Sequence, residues 1–362
     1  MARGATGLAR PRRPILTEGV FPRGDPPSLR KRRERPGAEA AKIRPVRRRV
    51  AVLGLGDIAS KAYLPILTAR DDLDLLLFSR SAATVERQCA RYRLPSGTTG
   101  LDDLLARAPE AAFILTPSPT HFGLARTLLE AGVDVFVEKP ATMASGETLL
   151  LTELAQRLGR VFMVGFNRRF APLTQKARSL WEGRGVSLAL FQKHRASAAH
   201  ADLFHNYIDD TIHVIDLLRF LCGEGAALKT VAHLREGRLV GASSIVALEG
   251  GGHAILATSL DAGRWEETYR LFGATTSLDL EAFSRLRFVS KGEERVFREP
   301  YASDWRPSLL ARGFPQQVDH FLSCVDSRRA PSTSGIEAYR TQRLLEDLVA
   351  CVWAQEPPKG PL

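Results

Sequence analysis

Short apolar runs separated by amphipathic stretches set the rhythm of the chain from Arg49 to about residue 166. The runs at 50–53, 73–78, 111–115, 133–137 and 161–165 are apolar apart from Asp74 and Asp134, which predicts strands buried on both faces. Between them, residues 58–70, 82–92, 101–107, 120–131 and 145–158 have helical spacing, with Thr120 and Ser145 as expected caps and Gly132 as a stop. Strands of this kind alternating with helices belong to a parallel sheet covered on both sides. Residues 47–166 are therefore expected to form an α/β domain with a doubly wound parallel sheet.

After Phe166 the pattern changes. Helical spacing at 172–181 and 210–221 is interleaved with strand-like runs at 186–193, 228–234, 243–248, 253–260, 267–272 and 277–280. Gly250 to Gly252 read as a hairpin turn, and helices at 316–326 and 335–353 close the chain. This predicts a second, α+β domain over 167–356, built on an open, mostly antiparallel sheet.

Composition alters the picture at one place, the beginning. The chain has 362 residues and a formal charge of +11, but residues 1–49 hold 15 Lys and Arg against 4 Asp and Glu, so the remainder is neutral. The basic character belongs to a Pro- and Gly-rich stretch, 1–46, expected to be a disordered tail. With a single aromatic residue, Phe21, and none interleaved among the arginines for base stacking, nucleic acid is not the expected partner. Arg12-Arg13 suggests a twin-arginine signal, but Glu18, Pro22, Arg23 and Asp25 interrupt any apolar segment behind it. Four scattered cysteines form no C-x-x-C pair, so neither metal nor disulfides are expected, and a cytoplasmic setting is. No apolar run reaches the roughly 18 residues needed to span a bilayer.

Candidate chemistry begins at the end of the first strand. Gly54, Gly56 and Ala59 follow the spacing G-x-G-x-x-A, a dinucleotide-binding fingerprint. Gly54 allows the turn, Gly56 lets the main chain approach a pyrophosphate, and Ala59 lets the next helix pack closely. With Asp57 and Ile58 between them, these are the expected cofactor contacts. The second strand ends Phe78-Ser79-Arg80, without the carboxylate that usually binds the ribose of NAD. Ser79 and Arg80 suit a 2'-phosphate, so NADP is expected, with NAD the alternative; Arg80 as a solvated helix-entry residue is the plainer account. Glu138-Lys139-Pro140 follows a buried strand, where ligands sit in such sheets, and Lys139 there suits proton exchange with a substrate oxygen. Asp209 and His213, four apart on a helix, place a carboxylate and an imidazole on one face; a helix cap and a satisfied core histidine are the plainer account.

Together the segments G-L-G-D-I-A (54–59), E-K-P (138–140), G-F-N-R-R-F (165–170) and D-D-T-I-H-V-I-D (209–216) resemble the glucose-fructose oxidoreductase, inositol dehydrogenase and rhizopine-catabolism family, Gfo/Idh/MocA. Q-K-H-R (192–195) and R-G-F (312–314) are similar to its bacterial virulence-factor-type (MviM-like) branch. The resemblance spans residues 47–355. It implies a Rossmann domain, a second domain whose open sheet mediates homo-oligomers, and hydride transfer between a nicotinamide and a sugar-like alcohol or carbonyl. By the same resemblance Lys139, Asp209 and His213 are the catalytic residues. The nicotinamide is then expected near Pro117, Glu138 and Lys139. Asn167, Arg168, Lys193, His194 and Arg195 are candidates for substrate oxygens. Thr211 stands where the family commonly has glycine, and its side chain is expected to narrow the pocket. The alternative from another class is a non-catalytic NAD(P)-binding regulator or scaffold on the same fold.

Overall fold

The computed structural model describes residues 47–95, 97–197, 202–298 and 308–355; the expected disordered tail, 1–46, lies outside them. In the first layer β1 (Arg48–Leu53), β2 (Leu73–Phe78), β3 (Gly97–Thr98), β4 (Ala111–Ile114), β5 (Asp134–Val137) and β6 (Phe162–Val164) form a parallel sheet in the order β3-β2-β1-β4-β5-β6. The order reverses between β1 and β4, and a ligand crevice opens at such a reversal beyond the strand ends. The unbroken apolar run from Val50 to Leu53 in β1 follows from this arrangement. Val50 and Val52 pack with Leu64 and Leu67 on one face, while Ala51 and Leu53 pack with Leu128 and Leu129 on the other.

The second sheet is larger. It comprises β7 (Leu188–His194), β8 (Gly225–Arg235), β9 (Arg238–Leu248), β10 (His253–Ser259), β11 (Glu266–Gly273), β12 (Thr276–Glu281), β13 (Arg285–Ser290), β14 (Glu293–Arg298) and β15 (Val352–Gln355). Their order is β14-β13-β12-β11-β7-β10-β9-β8-β15, antiparallel except where β7 meets β10 and β8 meets β15. The helices Pro172–Trp181, Ile212–Cys222 and Gly335–Ala350 cover one face. The expected closing helix ends at Ala350 rather than Trp353, because the chain turns there into β15.

One helix lies elsewhere than its place in the chain suggests. Phe314–Ser327, expected to complete the second domain, buries Val318, Phe321, Leu322 and Val325 in the cluster that holds Val50, Val52 and Leu64. The Phe321 ring stands 5.2 Å from Phe113 and 5.7 Å from Phe136. Each such apolar side chain contributes about 1.5–3 kcal/mol on burial, enough to tie the helix to the first sheet. The last helix also reaches back: Glu346 accepts from the Ser145 amide at 2.7 Å and from its hydroxyl at 2.6 Å. Ser145 is thus the first helical residue rather than the cap, which is Ala144. The two sheets share their helices, so the end of β5 and the helix Ile212–Cys222 are held against one another.

Candidate active site

The turn after β1 brings the ends of two strands together. Gly54 has φ +92°, and a Cβ there would lie 2.6 Å from the Thr116 amide nitrogen, so only glycine lets the ends of β1 and β4 approach this closely. Gly56 is different: a Cβ there meets nothing within 4 Å. Its bare backbone faces a groove of about 720 Å³ bounded by Asp57, Ser79, Arg80, Thr116 and Pro117. Asp57 pairs with Lys61 at 2.8 Å, one turn along. Ala59 is fully buried and opens a stretch, Ala59–Tyr63, in which the Leu64 amide bonds to the Ala59 carbonyl, five residues back.

A second cavity, of about 330 Å³, adjoins the groove, and Ile58 and Thr116 line both. Its wall carries Glu138 and Lys139 from the end of β5, Asn167 and Arg168 from the turn after β6, and His213 from the second domain. The Lys139 amine donates to the backbone carbonyl of Asp209 and lies 3.4 Å from that residue's Oδ1. Glu138 is buried. One carboxylate oxygen accepts from the Tyr63 hydroxyl, itself held by Gln317 Nε2 at 2.9 Å; the other accepts from the Lys139 amide at 2.9 Å. Burial pushes the Glu138 carboxyl above its ordinary range, against the pull of Lys139. His121 ties two loops together, with Nδ1 2.8 Å from the Pro140 carbonyl and Nε2 2.8 Å from that of Thr116. A neutral ring, which burial favours here, donates to one of them at a time.

Beside this cavity lies a set of charges that is buried except for Arg195, whose side chain is 40% exposed. Arg168 forms a two-pronged pair with Glu267, with Nη2 2.9 Å from Oε2. Lys193 is 2.7 Å from Asp210 Oδ1 and donates to the Asp210 carbonyl at 2.9 Å. Arg195 Nε donates to Asp210 Oδ2 at 3.0 Å. Burial, with Arg168 beside it, lowers the Lys193 ammonium to about 8. Burial opposes ionisation of Glu267, but Arg168 and Lys193 hold its carboxylate down at about 2. Three cations face two carboxylates, so the set is net positive. Burial first, then Arg168 and Lys139, push the His213 imidazole well below its ordinary value, and it stands neutral.

The structure therefore gathers Lys139, His213, Glu138, Asn167 and Arg168 around one cavity, and Gly54, Gly56, Asp57, Ile58, Ser79, Arg80 and Pro117 around the adjoining groove. Other expected residues are placed differently. Asp209 serves Lys139 and does not line the cavity with His213, because Tyr207–Thr211 is a wider helical turn that shifts the phase of the residues before Ile212. The buried carboxylate of this segment is Asp210, which holds Lys193 and Arg195, so these two cations are engaged in an internal network. His194 accepts from the Ser259 amide at 3.0 Å and borders a separate cavity near Arg264. Thr211 does not narrow the pocket: its hydroxyl donates to Asn206 Oδ1 at 3.0 Å and it is absent from the cavity wall. Tyr63, His121, Gln317 and Arg312 are site residues the sequence reading missed. Only Arg312 left a trace there, in the R-G-F segment; the others come together through long-range packing.

Comparison with known proteins agrees with this geometry. The family profile for Gfo/Idh/MocA, oxidoreductases with a NAD-binding Rossmann fold, matches residues 48–166. The protein YceM of Salmonella typhimurium is 32% identical over 309 residues, covering 83% of this chain and 96% of its own. The myo-inositol dehydrogenase Hyg17 of Streptomyces leeuwenhoekii is 28% identical over 60% of this chain and 70% of its own. The crystal structure of the dehydrogenase MviM from Clostridium difficile superposes with a TM-score of 0.76 at 25% identity, covering 83% of this chain and 98% of that one. With its two sheets, its fingerprint turn and its lysine at the end of β5, the chain belongs to the Gfo/Idh/MocA family of NAD(P)-binding oxidoreductases.

Proposed function

We propose that the protein is an NADP-dependent oxidoreductase that interconverts an alcohol and a carbonyl on a sugar-like substrate, with Lys139 exchanging the proton. The observation that carries this reading is that Lys139 and His213 share one cavity, and that this cavity runs through Ile58 and Thr116 into the groove over Gly56.

The groove fits the nucleotide. Gly56 leaves room for a pyrophosphate at the main chain. Ser79 and Arg80 at the end of β2 border it where a ribose 2'-phosphate would lie, and neither side chain is acidic. When bound, the nicotinamide supplies or accepts the hydride. The protein's own groups manage the proton. In reduction the Lys139 ammonium, aimed by the Asp209 carbonyl, donates to the substrate oxygen; in oxidation the amine takes the hydroxyl proton. Glu138 fixes the Lys139 backbone. His213, held neutral, is a poor base and a good orienting group. Among the described residues its buried Nδ1 has no hydrogen-bond partner, a cost of about 1–3 kcal/mol that a small shift toward a substrate hydroxyl would relieve. The relatedness to a myo-inositol dehydrogenase supports a polyhydroxylated substrate.

Two further parts of the reading concern setting and assembly. The setting read from the sequence is the cytoplasm. Leu190, Ile255 and Ile245 sit side by side in register on the sheet face that alternates with its buried residues, a surface suited to a homo-oligomer. Among the described residues no helix is long and apolar enough to cross a membrane. The reading is tested by following NADPH fluorescence with a panel of sugars, inositols and small ketones. Reproducible oxidation or reduction of the nucleotide supports the enzyme; binding without turnover across the panel supports a regulator or scaffold instead.

A further inference from the structure

Of the three cations on the wall of the reaction cavity, two are matched within the protein, Lys139 by Asp209 and Arg168 by Glu267. The third, Arg312, has no carboxylate within ion-pair distance among the described residues, although its backbone is tightly placed. Its carbonyl accepts from Asn167 Nδ2 at 2.9 Å. Gly313, at φ +84°, presses so closely on the turn before the helix Pro172–Trp181 that a Cβ would lie 2.3 Å from the Asn167 carbonyl oxygen. Phe314 is buried, with its ring perpendicular to that of Tyr63 at 5.6 Å. The guanidinium itself rests against aromatic rings, 4.8 Å from the centre of Phe283 and 5.7 Å from that of Trp265, which are stacked within 6° of parallel. Rings that take the flat face of a guanidinium leave its N–H edge for a planar or tetrahedral anion, the two-pronged recognition at which arginine excels.

We infer that Arg312 is the counter-ion for an anionic group on the substrate, a carboxylate or phosphate ester carried on the sugar-like molecule whose alcohol or carbonyl faces Lys139. The inference deepens the reading above and rests on it for the identity of the cavity. The net positive charge of the Arg168, Lys193 and Arg195 set, next to the same cavity, acts in the same direction. Asn167 joins the two functions, since one side chain both lines the cavity and holds the Arg312 carbonyl.

The test uses the full-length protein saturated with NADPH and measures binding of three matched pairs by calorimetry: D-glucuronate and D-glucose, D-glucose 6-phosphate and D-glucose, D-galacturonate and D-galactose. At least one anionic member is expected to bind tenfold or more tighter than its neutral partner, and the uronates and the phosphate distinguish a carboxylate from a phosphate ester. R312Q is expected to erase that preference, while R312K, which keeps the charge but loses the fork, retains part of it. Equal binding within all three pairs overturns the inference, as does a preference that survives in R312Q with its melting temperature and NADPH affinity intact. Failure of the underlying reading has another signature: an anion preference lost in R312Q, with no nucleotide turnover for any sugar. Efficient turnover of neutral sugars with no anion preference sinks the inference and leaves the oxidoreductase standing.

Discussion

The amine of Lys139, at the end of a strand in the first sheet, lies 3.4 Å from a carboxylate oxygen of Asp209, which belongs to the helical segment over the second. The same amine also donates to the Asp209 backbone carbonyl, which no side-chain substitution removes. The Asp209 side chain is 64% exposed, so its ion pair with the lysine is screened and worth at most about 1 kcal/mol. Asp209→Ala is therefore expected to lower kcat by no more than about fivefold, measured by nucleotide oxidation with any sugar the protein accepts. A loss of several hundredfold would assign the carboxylate a direct part in the chemistry.

Two glycines of the fingerprint are expected to fail in different ways. Gly54→Ala forces a Cβ to 2.6 Å from the Thr116 amide at a φ of +92°, which distorts the junction of β1 and β4. Its melting temperature should fall by several degrees, corresponding to the roughly 1–3 kcal/mol of such backbone strain. Gly56→Val adds bulk only to the open groove, so it should melt near the wild type while NADPH affinity drops at least tenfold. Unchanged affinity in Gly56→Val would remove the pyrophosphate from this turn.

Nucleotide choice is predicted to reside in Ser79 and Arg80. Replacing Arg80 by Ala removes a charge-assisted contact worth about 1.5–3 kcal/mol, which is roughly 10- to 100-fold in NADPH affinity. NADH, which lacks the 2'-phosphate, should bind the variant and the wild type within about twofold. Fluorescence titration with both nucleotides decides this, and equal losses for the two would show that Arg80 does not read the phosphate.

His213 makes stability depend on pH. Its folded-state ionisation lies well below the ordinary 6.5, through burial and then neighbouring cations, so below pH 6.5 the unfolded chain takes up a proton that the native protein refuses. Stability is fully present above pH 6.5 and falls as the pH drops, by up to about 1.4 kcal/mol per pH unit from this one group. His121, depressed by burial in the same direction, adds to the slope. His213→Asn should therefore lose less stability than the wild type between pH 7 and 5.5 in urea unfolding. Parallel curves for the two proteins would refute the assignment of His213 as a buried neutral group.

The parts of this molecule visible in the sequence are those whose physics is local. A strand buried on both faces, the glycine turn and the lysine after β5 each announce themselves within ten residues, and the first sheet follows from them; the second follows from the strand-like runs after residue 186. What stayed hidden depends on distant partners or on helix phase. The periodicity of 314–327 shows that one face of the helix is buried, but nothing in it says which sheet does the burying. The spacing of Asp209 and His213 assumes 3.6 residues per turn. The wider turn at Tyr207–Thr211 breaks that assumption and moves the buried carboxylate to Asp210. Tyr63, His121 and Gln317 enter the site from segments up to 254 residues apart, through contacts no short pattern encodes.

The measurement that bears most directly on the account is a comparison of Lys139→Met with the wild type, in NADPH binding and in turnover of a sugar and polyol panel. Methionine keeps the length and apolar bulk of the lysine stem and removes the proton-exchanging amine. The variant is predicted to bind NADPH within about twofold of wild type and to turn over its best substrate at least about a hundredfold more slowly, the scale of general acid-base assistance. Turnover at the wild-type rate, with the nucleotide equally bound, would contradict the assignment of Lys139 and with it the chemistry proposed for the cavity it shares with His213.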